Sequence, residues 1–246
     1  MRCGIISDIH GNLEALEAAI DRLGQVDAYI CPGDIVGYGA NPNECCDLVR
    51  RLAQVAVIGN HDAAVLGVLD ISWFNLNARA AVAWTSDILS EENRSYLTRL
   101  QPTWSSEERI VVHGSLDGPL EFPYIDSPWA AMPSFDAMSE ELTVCFIGHT
   151  HLAECYTQRR GVLGVDGISM TSGGKIELRE GFRYVINCGS VGQPRDGNPA
   201  AACGVFDTDA RTVEIVRVDY DIPATQRKIK DAGLPEALAD RLSLGV

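Results

Sequence analysis

Short apolar runs alternate with amphipathic stretches over the first 60 residues. Residues 2–7, 27–31 and 54–58 are apolar runs of strand length. Between them, residues 13–23 carry apolar side chains at spacings of three and four, which predicts a helix with one buried face. Residues 42–53 predict a second helix that opens with a proline. Strands that alternate with helices across short loops indicate a parallel, layered α/β sheet.

The pattern changes after residue 75. Residues 75–101 have helical propensity with a break near Ser90, where serine followed by acids suits a new helix start. Residues 116–139 contain four prolines and no clean period, so we expect an ordered loop near a site. We predict further strands at 109–113, 142–147, 153–158, 183–188, 201–206 and 212–218, and short helices within 223–244. The prediction is an α/β fold of one domain over residues 1–246, in which two stacked mixed sheets are flanked by helices as an α-β-β-α sandwich.

The composition excludes several classes of protein. The 246 residues are 46% hydrophobic and 22% charged, which is typical of a folded globular chain. Acidic residues outnumber basic ones by 34 to 20, giving a formal charge of −14. This excess argues against a broad nucleic-acid surface or a polybasic membrane patch, because both need clustered cations. No stretch approaches the roughly 20 apolar residues of a membrane span.

The eight cysteines favour free thiols over disulfides. No secretory leader precedes Met1-Arg2-Cys3, and no C-x-x-C pair is present. Most of the cysteines lie inside apolar runs, such as Tyr29-Ile30-Cys31, where a thiol packs as a small hydrophobic group. We therefore expect reduced cysteines and a cytoplasmic location.

The five histidines share one position relative to the predicted strands. Each lies at the carboxyl end of a strand: His10, His61, His113, His149 and His151. All except His151 have a glycine next to them or two residues away. Open α/β sheets form their ligand sites in the crevice at these strand ends. The placement predicts that the histidines meet at one site.

Five short motifs contain these histidines: Asp8-Ile9-His10, Gly33-Asp34, Gly59-Asn60-His61-Asp62, His113-Gly114 and Gly148-His149-Thr150-His151. Each motif alone is weak, because a turn aspartate, a helix cap or a packed histidine explains it equally well. Together they offer two carboxylates, four imidazoles and one amide without a thiolate, a donor set that suits Mn, Fe, Co, Ni or Zn. Seven donors are too many for one tetrahedral ion and indicate a binuclear site.

The five motifs, in this order, resemble the signature of the calcineurin-like metallophosphoesterases. The resemblance covers residues 8–151. Residues 189–195 also resemble the glycine-serine loop of the family's small bacterial and archaeal phosphodiesterase branch, which extends the match. In that loop Cys188 stands where the branch usually has proline, a change in stiffness that removes no ligand.

The resemblance implies a ligand set and a mechanism. It assigns the first metal ion to Asp8, His10 and His151, and the second to Asn60, His113 and His149. Asp34 would bridge the two divalent ions, for which we favour Mn²⁺ over Fe, Zn, Ni or Co. A bridging hydroxide would attack phosphorus in line, with His61 as general acid and Asp62 orienting it. The fold implied is the same helix-flanked sandwich.

Three further residues are candidate substrate contacts. Arg195 and the backbone near Ser190 would bind phosphate, although a solvated loop arginine is the alternative for Arg195. Tyr38 follows Asp34 closely and has either a substrate contact or a packing role. The segments 75–101 and 116–139 are predicted to form a lid or pocket wall.

The resemblance favours a phosphodiesterase that acts on small or nucleotide-like phosphate esters. A dinucleoside polyphosphate hydrolase and a protein or phosphomonoester phosphatase use the same metals and stay alternatives. Large protein phosphatases of the superfamily have an arginine after the bridging aspartate, and residues 33–39 contain none. A non-catalytic interaction protein on this fold is the remote alternative, and the histidine at position 61 argues against it.

Overall fold

The computed structural model describes residues 1–246 and contains two six-stranded sheets. In chain order the strands are β1 (Arg2–Ile5), β2 (Ala28–Cys31), β3 (Ala53–Ala56), β4 (Thr103–Ser105), β5 (Arg109–Val112), β6 (Val144–Ile147), β7 (Ala153–Arg159), β8 (Val165–Ser169), β9 (Gly174–Glu177), β10 (Phe182–Cys188), β11 (Ala201–Asp207) and β12 (Thr212–Val218). The helices are α1 (Leu13–Leu23), α2 (Pro42–Leu52), α3 (Asn60–Val65), α4 (Leu76–Ile88), α5 (Glu91–Thr98), α6 (Pro128–Ala137), α7 (Ile222–Asp231) and α8 (Glu236–Asp240), followed by a 3₁₀ turn at Arg241–Ser243.

Both sheets are mixed. The first has the strand order β3-β2-β1-β11-β12-β9, in which β1, β2 and β3 are parallel and β11 runs antiparallel to β1. The second has the order β4-β5-β6-β10-β7-β8, with parallel β5, β6 and β10 at its centre. Because β11 pairs with β1 and β10 pairs with β6, strands that are far apart in the sequence are neighbours within each sheet.

The sheets pack face to face, and helices cover their outer faces. An apolar cluster of 18 buried residues fills the space between the sheets, where Phe146 of β6 meets Phe206 of β11 at a ring distance of 5.4 Å. A larger cluster joins the outer face of the first sheet to α1, α2, α4, α7 and α8. The helix α6 covers the outer face of the second sheet. The predicted four-layer α-β-β-α sandwich is therefore confirmed.

The helices α1, α4 and α5 begin where their capping residues predict. The Asn12 side chain accepts from the Ala15 amide at 3.2 Å and starts α1. Ser90 caps α5 in the same way, with 3.2 Å to the Asn93 amide, and it separates α5 from α4. The break predicted within 75–101 is thus a change of helix rather than a loop.

Two predictions of local structure were wrong. Residues 116–139 are not all loop, because Ser127 caps a helix at Pro128–Ala137 that has one proline in its first turn. The expectation failed because α6 is apolar on most sides and shows no helical period. The short strands β4, β8 and β9 were missed, since they are largely exposed and lack alternation.

The cysteines and the helices can be compared with what the composition predicts. All eight cysteines are buried and unpaired. Burial raises the pKa of the Cys203 thiol to about 12, which keeps it protonated and unreactive. None of the helices has both the length and the apolar character needed to cross a membrane.

Candidate metal centre and substrate pocket

The predicted ligands converge at one edge of the sandwich. The loops after β1, β2 and β3 carry Asp8, His10, Asp34 and Asn60, and the ends of β5 and β6 carry His113, His149 and His151. We call these seven residues the donor cluster. All of them are buried, at no more than 3% exposure. The cluster forms there because the parallel strands of both sheets end at this edge.

The donor atoms fall into two overlapping groups. One group contains Asp8, His10, Asp34 and His151, and the other contains Asp34, His113 and His149. Within each group the ligand atoms lie within 4.8 Å of one another. The Asn60 Oδ1 atom joins the second group, 3.1 Å from His113 Nε2. The Asp34 carboxylate belongs to both groups, as a bridging ligand must.

The first group has the contacts expected of a cation site. The Nε2 atoms of His10 and His151 lie 3.0 Å apart. At most one proton can lie between these two nitrogen atoms. His151 Nε2 lies 3.3 Å from Asp8 Oδ1. Burial raises the pKa of the Asp8 carboxyl to about 6, so its charge is costly without a positive neighbour. A divalent ion with oxygen and imidazole ligands fits this group.

In the second group the Asp34 carboxylate favours a positive charge beside it. Burial acts to lower the pKa of His113, but the Asp34 carboxylate, 3.2 Å from His113 Nε2, raises it to about 9. The buried Nε2 of His149 has no hydrogen-bond partner, and burial lowers the pKa of this ring to about 3. A neutral imidazole with a free buried lone pair is a ready metal ligand. The residues of this group therefore also fit a divalent ion.

Backbone carbonyls orient three of the four imidazoles in the donor cluster. The Nδ1 atoms of His10, His113 and His151 lie 3.1, 2.9 and 2.5 Å from the carbonyl oxygens of Val36, Pro32 and Gln193. A ring that donates its Nδ1 proton to a carbonyl presents the lone pair of Nε2 to a metal. His149 is held differently, by Tyr124 stacked on it at a ring distance of 4.0 Å.

The backbone at the site is held in a rare conformation. Eight non-glycine residues have positive φ, and six of them belong to the predicted site: Asp8, His10, Asp34, Tyr38, His149 and His151. Side chains other than glycine adopt this region reluctantly, and such residues concentrate at functional sites. Cross-connections hold the loops: the amide of Asp8 donates to the Gly33 carbonyl at 3.0 Å, and the His149 amide donates to Asp8 Oδ1 at 2.9 Å.

Two glycines of the motifs are required by close packing. A Cβ atom at Gly59 would overlap the carboxylate of Asp34, and one at Gly148 would overlap the side chains of Ser7 and Asp8. Glycine at these positions lets the neighbouring loops approach the donor cluster directly. This explains why the motifs combine ligands with glycines.

The carboxylate of Asp62 contacts the backbone rather than the ring of His61. It accepts from four backbone amides, those of Gly59, Asp34, Ile35 and Val36, at 3.0 to 3.1 Å. It makes no hydrogen bond to the His61 ring, and its part in orienting His61 stays a prediction. The side chain instead ties the loop of Asp34 to the loop of Asn60.

The imidazole of His61 lies beside the donor cluster. Its backbone amide donates to Asp34 Oδ1 at 2.8 Å, while its ring packs against Tyr38 and Phe74 at 4.4 and 5.0 Å. Neither ring nitrogen has a hydrogen-bond partner within the chain, and Nδ1 is buried. Burial lowers the pKa of this ring to about 4. The ring is therefore positioned by packing, with its Nε2 atom free to meet a ligand.

A cavity of about 320 Å³ opens above the donor cluster. It is lined by Tyr38, Asn60, His61, Trp73, Phe74, Asn75, Ala78, Tyr124, Arg195 and Arg241. We call this lining, without Asn60 and His61, the pocket wall. It contains two arginines and four aromatic side chains, and no acidic residue, although the chain has 34 acids. The cavity therefore favours an anionic ligand with an apolar part.

The comparisons with known proteins agree with this geometry. The calcineurin-like phosphoesterase superfamily domain matches residues 1–211, most of the chain. The chain belongs to this superfamily. As a superfamily member it is a hydrolase, with His and Asp clusters able to bind metal.

Similar proteins come from archaea and bacteria. The uncharacterized protein MJ0912 of Methanocaldococcus jannaschii is 38% identical over 98% of this chain and 97% of its own. The phosphodiesterase YfcE of Escherichia coli is 25% identical over 87% of this chain and 91% of its own. The crystal structure of a metallophosphoesterase from Sphaerobacter thermophilus has a TM-score of 0.89 and 42% identity, covering 100% of this chain and 99% of the other.

The three predicted substrate residues of this superfamily member lie in different places. Arg195 lines the cavity, with one Nη donating to Gln193 Oε1 at 3.0 Å and lying 3.4 Å from the Tyr38 hydroxyl. Tyr38 packs on His10 at 4.7 Å, which is the packing role, and it also lines the cavity, where its substrate contact stays a prediction. Ser190 is fully buried, donates to the Asp8 carbonyl at 2.8 Å and does not reach the cavity. It is a positioning residue for the Asp8 loop.

Sequence reasoning missed three residues of the pocket wall: Trp73, Phe74 and Arg241. The predicted wall segments did contribute, because Asn75, Ala78 and Tyr124 lie within 75–101 and 116–139. The adjacent aromatic residues Trp73-Phe74 were a usable signal. For Arg241 no local pattern existed, since its position depends on how the chain end folds back.

Proposed function

We propose that this protein is a phosphodiesterase that uses two divalent cations to hydrolyse small or nucleotide-like phosphate diesters, with His61 as the general acid. The observation that carries the proposal is the position of His61. Its ring lines the cavity, directly follows the ligand Asn60 and has no hydrogen-bond partner in the chain. A side chain without a structural partner at such a place is available for proton transfer.

The donor cluster supports a binuclear site. Each of its two groups offers at least three neutral or anionic ligands, and Asp34 is shared. When bound, two divalent ions would supply an acidic water as nucleophile and positive charge for the phosphoryl oxygens. The carboxylates of Asp8 and Asp34 would hold the ions, and the carbonyls behind His10, His113 and His151 fix the direction of those imidazoles.

The remaining steps belong to side chains around the cavity. Arg195 binds a phosphate oxygen, because its guanidinium lines the cavity and has no carboxylate partner. His61 donates a proton to the leaving oxygen. A phosphate beside the ring favours the imidazolium form that this role needs. Substrate binding thus favours the protonated form of His61, which is the form that acts as the acid.

Two observations favour a diester over a monoester. The cavity of about 320 Å³ falls at the lower end of small-molecule sites and is larger than a phosphate group alone requires. The Escherichia coli relative is named a phosphodiesterase. We therefore expect diesters to be turned over faster than monoesters by the Mn²⁺-loaded protein.

The test uses two diesters that differ in the leaving group. Thymidine 5′-(4-nitrophenyl phosphate) releases an acidic phenol, and thymidine 5′-(phenyl phosphate) releases a more basic one. We expect His61→Gln to lower kcat for the phenyl ester by roughly 10²- to 10⁴-fold, and less for the nitrophenyl ester, which needs less help from an acid. Bound Mn²⁺, measured by mass spectrometry of the metal content, should stay unchanged.

Three results would overturn parts of the proposal. Equal losses for the two leaving groups would remove His61 from the acid role. Faster turnover of 4-nitrophenyl phosphate than of either diester would indicate a phosphomonoesterase. Hydrolysis of a dinucleoside polyphosphate in preference to the diesters would assign the chain to that class of hydrolase instead.

A further inference from the structure

The last 25 residues form an arm that returns to the cavity. This C-terminal arm (residues 222–246) contains α7, α8 and the 3₁₀ turn that begins at Arg241. It lies beyond residue 211, where the superfamily match ends. Its position is well anchored, because Leu238 and Leu242 are buried in the core of the first sheet's outer face. On α7, Lys228 pairs with Glu14, and the Thr225 hydroxyl lies 3.2 Å from Asn12 Oδ1.

The arm presents an arginine to the cavity without an acidic side chain beside it. Arg241 lines the cavity together with Arg195, and neither guanidinium forms an ion pair with an Asp or Glu side chain. The Nε of Arg241 donates to the Val246 carbonyl, whereas its two Nη atoms have no partner in the chain. Burial, and then the charge of Arg195, lowers the pKa of Arg241. Two neighbouring arginines without an Asp or Glu partner are unexpected in a chain of charge −14 and call for an explanation.

The cavity extends from the donor cluster to Arg241. One continuous space touches Asn60 and His61 at its floor and Arg241 at its wall. A ligand whose phosphate lies at the floor therefore extends toward Arg241. Trp73 and Tyr124 also line this space, and their flat rings suit a planar group such as a nucleobase. Guanidinium groups bind phosphate with paired, charge-assisted hydrogen bonds.

We infer that Arg241, acting with Arg195, forms a second anion subsite and selects phosphodiesters that carry an additional phosphate group. The inference rests on the proposed function and narrows its substrate class. The reacting phosphate lies over the donor cluster and contacts Arg195. The additional phosphate binds between Arg195 and Arg241, so that Arg195 contacts both phosphates. Arg241 is thereby a specificity-determining residue that lies outside the five motifs.

The kinetic test compares two substrates with the same leaving group. They are thymidine 5′-(4-nitrophenyl phosphate) and the same compound with a 3′-phosphate, hydrolysed by the Mn²⁺-loaded full chain. We expect the 3′-phosphate to raise kcat/KM of the unsubstituted protein about tenfold or more, in line with a charge-assisted contact. Arg241→Met should remove most of this ratio, and Arg241→Lys should keep part of it, because the charge remains.

The matched control is Arg159→Met. Arg159 is exposed at the end of β7, makes no side-chain hydrogen bond and lies outside the cavity lining. Its substitution removes the same charge from the chain, so it measures any general electrostatic effect on anionic substrates. We expect Arg159→Met to leave the ratio of the two kcat/KM values unchanged. An equal fall of the ratio in both variants would overturn the inference.

A binding measurement separates this inference from the proposed function. Thymidine 3′,5′-bisphosphate and thymidine 5′-phosphate are titrated into each variant by calorimetry in the presence of Mn²⁺. We expect the bisphosphate to bind about tenfold more tightly to the unsubstituted protein and the advantage to be lost in Arg241→Met. If neither diester is hydrolysed, the proposed function fails, and this titration still decides the role of Arg241. Equal affinities of the two nucleotides for the unsubstituted protein would overturn the subsite.

Discussion

The donor cluster and the pocket wall differ in burial and in the elements that carry them, although they share one cavity. The seven side chains of the cluster are almost fully buried, and backbone groups orient most of them. In the pocket wall, Trp73 is 53% exposed and Tyr124 is 48% exposed. The cluster lies on loops that end sheet strands, while the wall comes from helix ends, a long loop and the C-terminal arm.

This difference separates the chemistry from its selectivity. Ligands that bind two cations must hold their geometry within a few tenths of an ångström, so they need rigid support from the sheets. Side chains that recognise a substrate can lie on peripheral segments, where a change does not disturb the core. We therefore expect substitutions in the cluster to abolish the reaction and substitutions in the wall to change which substrate is used.

The largest effect is expected at the shared ligand Asp34. Asp34→Asn keeps the oxygen that accepts from the His61 amide but removes the charge needed to bridge two cations. We predict a loss of kcat of roughly 10³-fold or more, because several kcal/mol of transition-state stabilisation depend on the metals. Calorimetric titration with Mn²⁺ should detect weaker binding. Asp87→Asn, at an exposed position on α4, is the control, and full activity of Asp34→Asn would contradict the binuclear proposal.

A smaller effect on the reaction and a larger one on stability are expected at Asp62. Asp62→Asn replaces one acceptor oxygen by an amino group that faces backbone N–H donors. We predict a loss of about 3 kcal/mol in the free energy of unfolding, measured with urea, from charge-assisted hydrogen bonds that cannot be made. The loss of kcat should be the same for nitrophenyl and phenyl leaving groups. A dependence on the leaving group like that of His61→Gln would instead show that Asp62 acts through the acid.

The smallest effect is expected in the pocket wall. Trp73→Ala should raise KM for aryl nucleotide esters about three- to tenfold, because an aromatic contact is lost, and leave Mn²⁺ binding unchanged. Trp129→Ala is the matched control, since Trp129 is 80% exposed and does not line the cavity. A change of metal affinity in Trp73→Ala would break the proposed separation between cluster and wall.

The sequence predicted the residues of the donor cluster better than those of the pocket wall. Its ligands occur in local motifs, each at the end of an apolar run, and the parallel strands bring those ends together. The role of Asp62 was not predictable in the same way, because its four partners lie on the loops after β2 and β3. Ser190 illustrates the same limit: a polar residue in a family-like loop turned out to support the Asp8 backbone.

The sequence by itself predicted most of the elements in their order, the strand ends at which the site forms and the seven candidate donors, because these follow from local periodicity and from residue types at strand ends. Only the tertiary structure decided which donors face each other, which of the backbone carbonyls orient them and how Arg241 reaches Arg195. These contacts join residues as far apart as His10 and His151, or Asn12 and Thr225. Packing of the whole chain sets such distances, so no short stretch of sequence encodes them.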